Sequence, residues 1–261
     1  MNRSLLLAIA ALIVGLGSTE APSQEKDEKA KELRVLFIGN RLTYANDLPK
    51  IVEALAESAP KDRPRIKPDQ ITSAGFMLEQ HWKRTDNGSP QARIAAQKRD
   101  AVVLQDGVYS TADGFKKYAE GFEKHAPFFH ELIDKNGAKT VLFCTATFNR
   151  LYPKSFQKMH DLQTAMGKKL KVPVAGTGKA WLTYLGDDST PEQRQALYSD
   201  AVHPSPKGSY LRLLALCNAD RPEPSRFDKP HAQAAGGCRD AGRGQEDAGG
   251  RLEGVSGKGV S

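Results

Sequence analysis

Near the end of the chain, Asp200-Ala201-Val202-His203-Pro204 sets a carboxylate three residues before an imidazole, in a loop stiffened by Pro204 and Pro206. An acid at that spacing can accept a hydrogen bond from the ring and hold one tautomer, which a general base requires. The same pair could instead cap a helix beginning near Lys207, so the spacing alone leaves both readings open. A second candidate lies far upstream, where the apolar run LRVLFI (33–38) is followed by Gly39-Asn40-Arg41-Leu42-Thr43. Ligands of open α/β sheets collect at the carboxyl ends of strands, and a glycine there lets the backbone turn sharply. His81, His125, His130, His160 and His231 lack a comparable partner and are expected on surfaces or helix faces, with no role.

These candidates need a frame, and the apolar pattern supplies one. Short runs rich in β-branched residues at 33–38, 69–73, 100–105, 139–145 and 172–176 alternate with longer amphipathic stretches. Continuous apolar strands separated by helix-length segments predict a parallel sheet covered on both faces. The expected fold class is α/β: a three-layer, flavodoxin-like α/β/α sandwich with a five-stranded parallel sheet. Helices are predicted over 47–58, with Asn46 as N-cap and Pro49 in the first turn, and over 113–135 with an interruption at Pro127. Further helices are predicted over 154–170 and 207–217. The aromatic stripe Phe115, Tyr118, Phe122, Phe129 reads as core, not as a ligand platform.

The ends of the chain differ from this body. Residues 1–17 carry Arg3 and then the uncharged run Ser4 to Gly17, the pattern of a secretory signal peptide, too short to span a bilayer. Residues 18–32 read as a flexible linker, 33–217 as one folded domain, and 218–261 as a disordered Gly/Arg-rich tail. The change of character begins near Arg212, as a shifted reading frame would produce. A secreted, periplasmic or cell-envelope location follows, with no stable membrane span once the signal is removed. The net charge of +7 comes from bases scattered among acids, which gives no indication of nucleic acid and leaves anionic glycans or envelope surfaces as possible partners. Cys144, Cys217 and Cys238 have no metal or redox spacing, so no metal, cofactor or disulfide framework is expected.

Taken together, the two candidate segments resemble the SGNH (GDSL-like) hydrolases, esterases that carry Gly-(Asn/Asp)-Ser after the first strand and Asp-x-x-His near the C-terminus. The resemblance extends to Ser73-Ala74-Gly75 after the second strand and Val103-Leu104-Gln105-Asp106 after the third, and covers about residues 33 to 211. It implies His203 as general base, Asp200 as its orienting acid, and Gly75 as a backbone oxyanion donor. Gln105 falls where the family supplies an asparagine amide. The nucleophile position falls on Arg41, which is always protonated and cannot form an acyl-enzyme. Neither Thr43 nor Ser73 takes its place. The long Arg41 side chain is expected in the cleft, where it could draw Asp200 away from the imidazole.

The resemblance thus implies an exported ester hydrolase acting on a small-molecule or glycan ester, impaired at Arg41. Two other readings stand beside it. One is a non-catalytic protein that uses Arg41 in the same cleft to hold an anionic or glycan ligand. The other is a hydrolase in which His203 activates water directly.

Overall fold

The computed structural model describes residues 31–61, 63–186, 188–217 and 219. The signal-peptide segment, nearly all of the linker and the Gly-rich tail lie outside the described residues. Five strands, β1 (Glu32–Gly39), β2 (Arg65–Thr72), β3 (Ala101–Leu104), β4 (Lys139–Cys144) and β5 (Val174–Gly176), form one parallel sheet in the order β2-β1-β3-β4-β5. Gly39 pairs with Thr72 and Ile38 with Leu104, so three neighbouring strands end at one level. Helices α1 (Arg41–Tyr44), α2 (Leu48–Ser58), α3 (Leu78–Trp82), α4 (Pro90–Ala96), α5 (Ala112–Lys135), α6 (Lys154–Leu170), α7 (Thr177–Leu185), α8 (Pro191–Gln195) and α9 (Pro206–Cys217) complete the three layers.

Alternation along the strands sorts the core into two halves. Leu36, Ile38, Val102, Leu104, Leu142 and Cys144 pack with Tyr118, Phe122, Phe129 and Ile133 of α5 and Met159 and Met166 of α6. Phe37, Val103, Phe143 and Ala175 face the other way, onto Leu48 and Val52 of α2 and Leu213 of α9. Each of the larger apolar side chains contributes on the order of 2 kcal/mol by leaving water. Burial on both faces explains why these strands are continuous apolar runs.

Three local expectations are corrected. Strand β2 begins at Arg65, ahead of the apolar run at 69–73, because it lies at the sheet edge, where Lys67 reaches solvent and Pro68 withholds no needed N–H. Pro127 does not interrupt α5. The stripe Tyr118, Phe122, Ala126, Phe129, Ile133 stays buried and in phase across it, and the carbonyl it leaves unbonded belongs to exposed Glu123. Asn46 is not the N-cap of α2: it adopts a left-handed conformation (φ 56°) and the cap falls on Asp47, also left-handed (φ 51°). Cys144 is a free, fully buried thiol that burial pushes up to about 12.

Candidate active site

Asn40 is the hub of the upstream side. Its backbone N–H donates to Gln105 Oε1 (2.9 Å), its Nδ2 to the Phe76 carbonyl (2.8 Å), and its Oδ1 accepts from Leu42 N (2.9 Å), capping α1. These bonds tie the turn after β1 to the segments that follow β2 and β3. Thr43 Oγ1 adds a second donor to Gln105 Oε1 at 2.8 Å. Gly39 has to be glycine, since a Cβ there would lie 2.4 Å from Thr43 Oγ1 and 2.6 Å from Gln105 Oε1. His81 closes the turn from below, its Nε2 lying 2.7 Å from the Gly39 carbonyl. A carbonyl only accepts, so Nε2 carries the hydrogen and Nδ1 is a buried acceptor with no hydrogen-bond partner among the described residues. Burial, opposed by the bond to Gly39, lowers the His81 pKa.

The downstream side is the loop between α8 and α9. Asp200 Oδ2 lies 2.6 Å from His203 Nδ1, while its Oδ1 accepts from the backbone of Val202 (2.8 Å) and His203 (2.7 Å). The hydrogen bond from the imidazole, aided by those two N–H donors, holds the Asp200 carboxyl down at about 2. An ionised Asp200 fixes hydrogen on Nδ1 and leaves His203 Nε2 as the basic nitrogen. Asn46 joins the two sides, its Nδ2 donating to the Pro204 carbonyl (2.8 Å) and to Ser209 Oγ (2.9 Å). From the other direction, Arg212 Nη2 donates to the Leu42 carbonyl.

Gly75 sits in the left-handed region (φ +73°), where a side chain would be strained. Among the described residues, neither its backbone N–H nor that of Arg41 has a hydrogen-bond partner. The Arg41 side chain is exposed and makes no hydrogen bond or ion pair with the described residues. The described residues include no group of three or more His, Cys, Asp or Glu side chains able to hold a metal ion.

No protein-family model and no curated protein matches the sequence. Solved structures do. A protein of Slackia heliotrinireducens assigned to the SGNH hydrolases is similar at 25% identity and a TM-score of 0.55, over 72% of this chain and 99% of its own. An acetylxylan esterase of Geobacillus stearothermophilus is similar at 16% identity and a TM-score of 0.54, over 76% of this chain and 100% of its own. An α/β hydrolase from the metagenome of Lake Arreo, Spain, is similar at 16% identity and a TM-score of 0.55, over 73% and 95%. The fold is that of the SGNH hydrolases.

On this SGNH-type sheet the motif segments at Gly39, Gly75 and Gln105 all follow strand ends at the carboxyl edge, and the Asp200–His203 loop is bonded to the first of them. Two side chains depart from expectation. Gln105 is entirely buried, its oxygen fixed by two donors and its amide nitrogen donating to the Asp106 carbonyl, so the side chain offers an oxyanion nothing as it stands. The extra methylene folds the amide back into the turn. Arg41 does not take Asp200 from the imidazole, because both carboxylate oxygens are already engaged within their own loop. His81 and His125 are buried, not on the surface. Asn46, expected only as a helix cap, instead bridges the two sides; the signal was the pair Asn46-Asp47, two residue types that tolerate the left-handed region, just before a helix.

Proposed function

We propose that this chain is an exported ester hydrolase of the SGNH type, built to remove acyl or acetyl groups from a carbohydrate or small ester, whose nucleophile position is occupied by Arg41. The observation that carries this reading is the Asp200–His203 pair, with His203 Nε2 left basic, on a loop that Asn46 bonds to the turn bearing Arg41. The unpartnered N–H groups of Arg41 and Gly75 support it, since backbone donors of this kind stabilise a developing oxyanion by about 3 kcal/mol each. A guanidinium cannot attack an ester. The protein as it stands therefore lacks the acylation step, and the rest of the machinery is idle.

Arg41→Ser tests the reading directly. The variant is expected to hydrolyse p-nitrophenyl acetate and to label with a fluorophosphonate, whereas the parent does neither. An inert variant across acetyl and longer esters would defeat the hydrolase reading. A second reading has its own support in the exposed guanidinium of Arg41, which pairs with none of the described residues: a binding protein that holds a carboxylate, sulfate or phosphate in the cleft. It is favoured if the parent binds an anionic sugar and Arg41→Ser abolishes that binding. Parent turnover that disappears with His203→Ala, without probe labelling, would point instead to direct activation of water. Export is tested by N-terminal sequencing of the secreted protein, with cleavage expected near Gly17.

A further inference from the structure

Beside Gly75 lies a cavity of about 250 Å³ whose walls include Gly75, Asp106, Tyr109 and Tyr118, with Glu79 and Lys117 also lining it. Asp106 is only 3% exposed, yet among the described residues it has no ion-pair partner. Its Oδ1 accepts from Leu78 N and Gly107 N, both at 2.8 Å, and among the described residues nothing donates to Oδ2. Oδ2 keeps accessible surface, and because Asp106 lines the cavity a ligand or water there can donate to it. Tyr118, also buried, accepts from Gln163 Nε2 through its hydroxyl oxygen, which leaves the hydroxyl hydrogen to donate. The cavity therefore combines a strong acceptor with a donor, between tyrosine rings.

The lining carries two acids, Asp106 and Glu79, against one base, Lys117, so it disfavours anions. The volume suits one ring-sized group and is small for a drug-sized ligand or a long acyl chain. We infer that this cavity is a subsite for one uncharged, hydroxyl-bearing ring, a single sugar unit, with Asp106 Oδ2 accepting from a ring hydroxyl. The inference rests on the hydrolase reading only for its claim that the sugar is the alcohol part of the ester. Asp106 then acts as a specificity-determining residue, because an analogue lacking the hydroxyl leaves the carboxylate unpaired.

Binding to the Arg41 protein tests this without any turnover. Methyl β-D-xylopyranoside and methyl β-D-glucopyranoside are titrated against parent, Asp106→Asn and Tyr118→Phe, followed by ligand-observed NMR. The parent is expected to bind at least one glycoside, and Asp106→Asn to weaken it about tenfold, the worth of one hydrogen bond to a charged group. The asparagine oxygen can still accept from Leu78 and Gly107, so the thermal transition should hold; if that variant misfolds, Tyr118→Phe carries the test with a loss of several-fold. Absence of binding to both glycosides, or binding indifferent to both substitutions, overturns the inference. The two readings fail separately. If Arg41→Ser stays inert while the parent binds glycoside through Asp106, the hydrolase reading falls and the subsite stands. If Arg41→Ser is active but favours acetylated methyl xyloside over p-nitrophenyl acetate no less after Asp106→Asn, the subsite falls and the hydrolase stands.

Discussion

On the upstream side of the site, residues 39–43 hold their shape through interior bonds to Gln105, Phe76 and His81, whereas on the downstream side Asp200 and His203 hold each other near the surface. Their side chains are 53% and 25% exposed. The upstream turn owes nothing to the side chain at position 41, which points to solvent while Asn40 and Thr43 make the bonds. In the downstream loop the side chains that would do the chemistry are themselves bonded to each other, alongside backbone bonds from Ser199 and Asn149 that fix the loop without them. A change at position 41 is thus silent for folding and decisive for reaction. A change at Gly39 acts in the opposite sense.

The largest effect expected from breaking this comparison is on rate. In an Arg41→Ser background, His203→Ala should remove essentially all esterase activity, by analogy with triads in which loss of the base costs about 10⁶ in kcat. Both variants should melt within a degree or two of the parent, measured by circular dichroism. Retained turnover in the double variant would mean that the two sides do not act as one site. Next comes Gly39→Ala, whose Cβ would crowd Thr43 and Gln105; a loss of about 2 kcal/mol is expected from the urea midpoint. A smaller shift would show the turn to be looser than its bonds imply.

Arg212 makes a third test, with the opposite sign. Its guanidinium is 1% exposed, lies 5.0 Å from the centre of the Phe143 ring, and leaves Nε and Nη1 without hydrogen bonds among the described residues. Burial alone pulls its pKa down to about 9. Exchanging it for an apolar side chain of similar length, Arg212→Met, loses the bond to Leu42 but relieves the buried charge. A net gain of about 2 kcal/mol is expected in denaturant unfolding.

The smallest effect is that of pH on the downstream loop. The Asp200 carboxyl is lowered from 3.8 to about 2 in the folded protein, so its contribution is present above pH 3.8 and is lost as pH falls through 2. For so exposed a pair the contribution is well under about 1 kcal/mol. Asp200→Asn should therefore flatten the acid limb of stability slightly between pH 4 and 2, with a small constant loss near neutrality and none below about pH 2.

The central strands were legible because burial on both faces forces an unbroken apolar run. The edge strand was half hidden, since Arg65, Lys67 and Pro68 answer to solvent on one side. Helices α4 and α8 left signals that could have been read, in Ser89-Pro90 and in Thr190-Pro191 followed by Gln193, each a capping residue ahead of a proline. The Asp200–His203 pair was legible because both partners are local. Gln105 was not, because its withdrawal depends on Asn40 and Thr43, more than sixty residues away, converging on one oxygen. His81 carries no sequence mark at all; its role exists only where α3 meets the end of β1.

That imidazole also keeps time. Its Nε2 hydrogen is donated to the Gly39 carbonyl and the residue is 0% exposed, so the hydrogen can reach water only when the turn opens. Its exchange with solvent is gated by the same bonds that shape the site, and the exchange rate converts directly into the free energy of that opening. One slowly exchanging ring signal in the proton spectrum thereby serves as a built-in gauge of how rigidly the turn is held, readable in the unaltered protein.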